Sequence, residues 1–163
     1  MPTDTIGEII GRAPSAITGY YNNPEQSAET FRNRWLYTGN LGSIDDEGYL
    51  TIRGRKKDMI VSGGQNVYAG EVENVLLKHP AISDCAGIGL PDDMWGKRVT
   101  AVVIAKAGAS INVHEVQAFC RKHMVSFSIP KQVILHNAPL PHTATGKVQK
   151  FLLVEEYSEK RYS

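Results

Sequence analysis

Residues 59–68 read Met59-Ile60-Val61-Ser62-Gly63-Gly64-Gln65-Asn66-Val67-Tyr68: a short apolar run, a polar stretch with two adjacent glycines, then a second short run ending in an aromatic ring. This pattern predicts two short strands joined by a glycine-bearing hairpin loop. Downstream the chain stays regular. Ala69 to His79 places Val72, Val75 and Leu76 at the i, i+3, i+4 spacing of one buried helical face, and Pro80 ends the helix. Ile82–Leu90 and Val99–Ala105 read as strands, the second rich in β-branched residues. Asn112 is a cap for a helix burying Val113, Val116, Phe119 and Cys120. Lys131–His136 reads as a strand and Val148 to about Glu159 as a last helix, so the order after the hairpin is α, β, β, α, β, α. That order predicts an α+β fold, a small sheet with helices packed on it.

Upstream the pattern differs. Residues from about Thr5 to Arg53 are rich in strands and loops: Ile6–Ile10 and Trp35–Tyr37 are short apolar runs, and Asp45-Asp46-Glu47-Gly48 turns the chain into Tyr49-Leu50-Thr51-Ile52. Tyr20–Pro24 is a loop, and Pro24–Phe31 is expected to form a short helix with proline in its first turn. No helix-paired core is visible here. Between the two patterns stands Gly54-Arg55-Lys56-Lys57-Asp58, charged and glycine-containing, which reads as a hinge. The expected division is 1–53, hinge 54–58, and 59–163.

Composition narrows the functional classes. The chain has 163 residues with 18 Lys and Arg against 17 Asp and Glu, a near balance that gives no electrostatic footprint for nucleic acid or an acidic membrane. No apolar run is long enough to span a bilayer, and the N-terminus lacks a basic start followed by an apolar stretch, so a cytoplasmic protein is expected. Cys85 and Cys120 stand far apart within apolar patterns and read as buried thiols. The histidines at 79, 114, 123, 136 and 142 show no metal-ligand spacing, so no metal site is expected.

One lysine stands apart. Pro139-Leu140-Pro141-His142-Thr143-Ala144-Thr145-Gly146-Lys147 is a short polar loop, expected to be flexible at its tip, that presents Lys147 just before the last helix. A cation so placed suits a phosphate or carboxylate, and a solvated turn is the alternative. A nucleotide-binding P-loop is excluded, because Pro141 and Val148 occupy the places of its first glycine and of its Ser or Thr.

Taken in order, Gly7-Glu8-Ile9, Gly19-Tyr20-Tyr21-Asn22-Asn23-Pro24, Trp35-Leu36-Tyr37-Thr38-Gly39-Asn40-Leu41-Gly42, Gly54-Arg55-Lys56-Lys57-Asp58-Met59-Ile60, Gly63-Gly64-Gln65-Asn66-Val67-Tyr68, Glu71-Val72-Glu73 and Thr145-Gly146-Lys147 form a specific series. By these residues nearly the whole chain resembles the C-terminal portion of an acyl-CoA synthetase of the adenylate-forming superfamily. The likeness is to fatty-acid and aryl-acid CoA ligases, and with them to fatty acid metabolism. A peptide-synthetase adenylation domain, from the same superfamily, is a poorer match, and luciferase-like oxidation is left open by these residues.

The resemblance implies a reaction in two halves: a carboxylic acid and ATP, with its Mg²⁺, form an acyl-adenylate, and the acyl group then passes to the thiol of CoA. It assigns Lys147 to the acid and α-phosphate, Asn40 and Arg55 to the nucleotide, Lys57 to the hinge, and Gly63 and Gly64 to the tunnel for the CoA arm. Structural alternatives are a surface salt bridge for Arg55 or Lys57, and plain turns for Asn40, Gly63 and Gly64. Asn40 departs from the family, which usually has aspartate there. Its amide offers one carbonyl acceptor and an NH₂ donor in place of a carboxylate. The Gly/Ser/Thr-rich phosphate loop and the acid pocket of the large N-terminal adenylation domain are not in this sequence. Residues 1–53 therefore read as a β-rich remnant of that domain, and the chain alone is expected to be catalytically incomplete. Apolar surface left on such a remnant makes a homodimer a further expectation. A non-catalytic module binding CoA, AMP or a protein is the alternative function.

Overall fold

The computed structural model describes residues 2–159, which fall into two compact units, Met1–Lys57 and Asp58–Ser163. In the first, β1 (Gly7–Gly11), β2 (Phe31–Arg32) and β4 (Leu50–Arg55) all pair antiparallel with β3 (Trp35–Ile44). Helix α1 (Pro24–Thr30) begins as its sequence requires. The Asn23 side chain accepts the Gln26 N–H at 3.1 Å, and Pro24 occupies the first turn, where a missing N–H costs nothing. Strand β3 is longer than the Trp35–Tyr37 run suggests, because partners on both edges carry it through its polar and glycine positions.

Little of this unit is buried. Leu41 is its one buried hydrophobic residue among those described, while Ile17, Tyr21, Ile44, Tyr49, Leu50 and Ile52 are exposed. Helix α1 has no buried residue.

The second unit is α+β. Strands β5 (Met59–Ser62) and β6 (Gln65–Tyr68) form the expected hairpin, followed by α2 (Ala69–Leu76), β7 (Ile82–Asp92), β8 (Gly96–Ala105), α3 (Val113–His123), β9 (Gln132–Leu135) and α4 (Lys150–Glu159). Strand β8 is the hub. It pairs antiparallel with β7 along its whole length, meets β5 at Ser62–Gly96, and takes β9 in parallel over Thr100–Val103. Alternation along β8 divides the core between two faces. Val99, Ala101 and Val103 join Val72 and Leu76 of α2 and Val116 and Cys120 of α3, whereas Val102 joins Ile88, Leu140 and Leu153 of α4. The sheet is thereby covered on both faces, with α4 alone on the second.

Several boundaries depart from expectation for local reasons. Helix α2 ends at Leu76 rather than His79, because Lys78 and His79 donate to the third carbonyl back, from Val75 and Leu76, and tighten the chain before Pro80. Helix α4 starts at Lys150 rather than Val148, which is held in a bridge to His142. The β7–β8 hairpin runs on through Pro91 to Gly96. Asn112 caps α3 in a capping box with Glu115, but Phe119 is only half-buried, its ring lying between those of His79 and His123. No helix of the described residues is long and apolar enough to cross a membrane.

Candidate functional site

In the first unit Asn40 and Arg55 face one another as Cα partners across β3 and β4, so the two nucleotide candidates share one rung of a ladder. The backbone before Asn40 is firmly set. Thr38 Oγ1 donates to Ile9 O at 2.7 Å and accepts the Asn40 N–H at 3.1 Å, while Gly39 N donates to Glu8 Oε1 at 3.2 Å. The other Glu8 oxygen takes Lys56 Nζ at 3.0 Å, and that ammonium holds the Glu8 carboxyl below its ordinary range. A shallow cleft beside Gly39 is lined by Glu8, Glu29, Thr30, Arg32 and Tyr37, with the Arg32 guanidinium 3.8 Å from the centre of the Tyr37 ring.

In the second unit Gly63 and Gly64 form the two-residue tip between β5 and β6, both with positive φ, +56° and +77°. They differ in their surroundings. A Cβ on Gly64 would meet nothing within 4 Å, whereas one on Gly63 would come within 2.6 Å of the Trp95 ring. Gly63 N also donates to Trp95 O at 2.9 Å. Trp95 is itself placed by Asp92, whose Oδ1 accepts the Met94 and Trp95 amides, and the Lys131 ammonium lies 5.2 Å from its ring centre. The sequence singled out Gly63 for leaving space; the structure adds that Trp95 fills part of that space.

The loop that presents Lys147 closes on itself through hydrogen bonds within the turn. Thr143 N donates to Lys147 O at 2.8 Å, Gly146 N to Thr143 O at 2.9 Å, and Lys147 N to Thr143 Oγ1 at 3.1 Å. Gly146 has φ +77°, the left-handed backbone this turn requires. Leu140 before the loop and Leu153 after it are buried in one apolar cluster. His142 at its base donates from Nδ1 to Leu140 O, and its Nε2 lies 3.6 Å from Asp84 Oδ2.

The side chains of Arg55, Lys57 and Lys147 are exposed and form no ion pair or hydrogen bond among the described residues. Their neighbours are engaged: Lys56 with Glu8, and Lys150 with Glu73 at 2.8 Å and Asp58 at 3.8 Å. Sequence reading passed over Lys150, and it used Glu73 only as part of a motif. Nothing in the local pattern announces their pairing, because the two residues are 77 positions apart in sequence and meet only when the first residue of α4 comes within reach of Glu73. Glu73 Oε1 also accepts the Gly87 N–H at 2.8 Å.

Both thiols are free and buried. Burial, with the nearby Glu73 and Asp84 charges, pushes Cys85 up to about 12, and burial also raises Cys120. A thiol so raised is a poor nucleophile. The described residues hold no group of three or more His, Cys, Asp or Glu side chains arranged for a metal ion.

Residues 71–147 match the family described as AMP-binding enzyme C-terminal domain. The chain is 41% identical over 152 residues to a long-chain-fatty-acid–CoA ligase, FadD13, of Mycobacterium tuberculosis, an alignment covering 93% of this chain and 30% of that protein. Among solved structures it is similar to ATP-bound MatB of Rhodopseudomonas palustris, at a TM-score of 0.86 and 38% identity over 97% of this chain and 31% of the other. It is likewise similar to o-succinylbenzoate CoA synthetase of Bacillus subtilis in complex with its acyl-adenylate intermediate, at a TM-score of 0.88 and 33% identity over 94% of this chain and 31% of the other. The chain thus spans about 30% of the length of the curated relatives it matches.

Proposed function

Because the chain carries the AMP-binding enzyme C-terminal domain and aligns with the C-terminal portion of adenylate-forming acyl-CoA ligases, we propose that it serves the two half-reactions of an ATP-dependent acid–CoA ligase. The observation that supports this reading is that Asn40 and Arg55, which the family motifs assign to the nucleotide, are Cα partners on one rung of β3 and β4. Lys147 presents its ammonium to the acid and the α-phosphate, where it offsets charge developing on oxygen during adenylate formation. Asn40 and Arg55, opposed on adjacent strands, hold the ribose of the nucleotide. Lys57 is the hinge, and the Gly63–Gly64 tip lines the passage for the CoA arm.

ATP, bringing Mg²⁺, and CoA are the co-substrates, and a fatty or aryl acid is the substrate class, in the cytoplasm. The acid pocket and phosphate loop come from an N-terminal adenylation domain, without which these 163 residues form no adenylate. The test is acid- and ATP-dependent pyrophosphate release by the purified chain, alone and with such an N-terminal portion supplied in trans. Release only in the second case supports the reading. Release by the chain alone refutes its incompleteness, and none in either case favours a module that binds CoA, AMP or a protein without catalysis.

The exposed apolar residues of the first unit, Tyr49, Leu50 and Ile52 among them, are the surface that the N-terminal portion would cover. Self-association into a homodimer is the competing cover, and sedimentation of the purified chain separates the two.

A further inference from the structure

Lys147 begins the returning leg of a small two-legged loop. Thr143 N donates to Lys147 O and Gly146 N to Thr143 O, Gln149 N donates to Pro141 O at 2.7 Å, and His142 and Val148 stand in an antiparallel bridge. Each leg ends in a basic group. On the outgoing leg His142 donates from Nδ1 to Leu140 O at 2.7 Å, and its Nε2 lies 3.6 Å from Asp84 Oδ2. On the returning side Lys150, the first residue of α4, places Nζ 2.8 Å from Glu73 Oε1 and 3.8 Å from Asp58 Oδ2. Glu73 and Asp84 are in turn held by the backbone of one short stretch of β7. Asp84 Oδ1 accepts the Cys85 N–H at 2.9 Å, and Glu73 Oε1 accepts the Gly87 N–H at 2.8 Å. That stretch is buried from Cys85 to Gly87 and paired with β8 at every residue from Asp84 to Gly87. Two carboxylates fixed to residues 84–87 thus grip both legs of one loop.

We propose that Glu73 and Asp84 are positioning residues for Lys147, orienting the closed loop through Lys150 and His142. Apolar burial is non-directional, so Leu140 and Leu153 keep the ends of the loop against the sheet without fixing the heading of its tip. Charged hydrogen-bonded pairs do fix a direction. The two grips are unequal. The Lys150 and Glu73 side chains are 18% and 20% exposed, against 37% and 36% for His142 and Asp84, so the first pair is the less screened. Because Nδ1 of His142 is committed to Leu140 O, its Nε2 carries a proton toward Asp84 only when the ring is an imidazolium. Glu73 is therefore the principal anchor and Asp84 the second. A misplacement of about 1 Å at a reacting group can cost about a hundredfold in rate. This role deepens the proposed function and rests on it for the catalytic consequence alone.

The test is backbone nitrogen-15 relaxation on the full 163-residue chain, comparing wild type with Glu73→Gln, Asp84→Asn, the two combined, and Lys150→Arg. The amide variants remove charge while keeping an acceptor for the Gly87 and Cys85 N–H groups. Order parameters across Thr143–Lys147 are expected at about 0.85 in wild type and Lys150→Arg and below about 0.6 in the double variant, with Ala101–Val103 unchanged throughout. A double variant whose loop stays as ordered as wild type, an equal loosening of Ala101–Val103, or a loop disordered by Lys150→Arg would overturn the proposal. A second readout uses the chain supplied with an adenylate-forming N-terminal portion. There Glu73→Gln should lower kcat for adenylate formation about tenfold and the double variant about a hundredfold, with KM for ATP within about twofold of wild type. A raised KM with kcat unchanged would remove the positioning role. If the assembly with wild-type chain forms no adenylate, the proposed function fails, while the order parameters still decide whether Glu73 and Asp84 orient the loop.

Discussion

The six-membered ring of Trp95 covers the Cα of Gly63 so closely that a Cβ there would fall 2.6 Å from Cε3 and 2.9 Å from Cζ3. The neighbouring Gly64 has open space around it, so the two glycines of one turn answer to different constraints. Gly64→Ala carries only the left-handed backbone cost, about 1–2 kcal/mol. Gly63→Ala adds the displacement of an indole held through Asp92, for a total of about 2–5 kcal/mol. Urea denaturation of both variants should show that order, and equal midpoints would mean the indole yields freely.

Lys147→Ala should leave the denaturation midpoint within about 0.5 kcal/mol of wild type, because the side chain is exposed and contacts no partner among the described residues. Acyl-adenylate formation, measured as acid-dependent ATP–pyrophosphate exchange with the N-terminal portion present, should fall by about two to three orders of magnitude. A rate within threefold of wild type would remove Lys147 from the first half-reaction.

Asn40→Asp replaces an amide by a carboxylate on the rung opposite Arg55. A charged acceptor forms a stronger bond to a ribose hydroxyl, and AMP affinity should rise about tenfold in equilibrium binding by the chain with its N-terminal portion. No gain would mean that Asn40 serves the turn after Gly39 and not the nucleotide.

The buried thiols predict an alkaline loss of stability. Cys85 is raised to about 12 in the folded chain from an ordinary value of 9.0, so the folded state keeps its proton where the unfolded state releases it. The stabilisation is full below pH 9 and is lost progressively as pH climbs from there toward 12. Denaturation midpoints at pH 8 and pH 10.5 should therefore differ more for wild type than for Cys85→Ala. At pH 8 native Cys85 should resist iodoacetamide until the chain is unfolded.

Much of the second unit was legible because its signals are local. The hairpin around Gly63-Gly64, the Asn112 cap and the order of helices and strands each follow from neighbouring residues, and each is present. What escaped depends on partners distant in sequence. Phe119 fits an apolar helical face, yet it lies between two histidine rings, one of them beyond its own helix. The length of β3 is set by strands on both of its edges, which no window around Gly39 contains. The site divides in the same way: Lys147 and Arg55 stand in recognisable motifs, whereas Trp95 beneath Gly63 and the Lys150–Glu73 pair appear only once separate elements are folded together.

Strand β8 receives a hairpin partner from just before it and a parallel partner from well after it. During synthesis β7 and β8 can zip as they emerge, but the edge of β8 from Thr100 to Val103 stays open until Gln132–Leu135 has left the ribosome and crossed behind α3. For that interval the nascent chain displays a β-branched edge suited to pairing with another chain. A translational pause that holds Gln132–Leu135 inside the ribosome after Val103 has emerged would lengthen the exposure, whereas one after Leu135 has emerged would not.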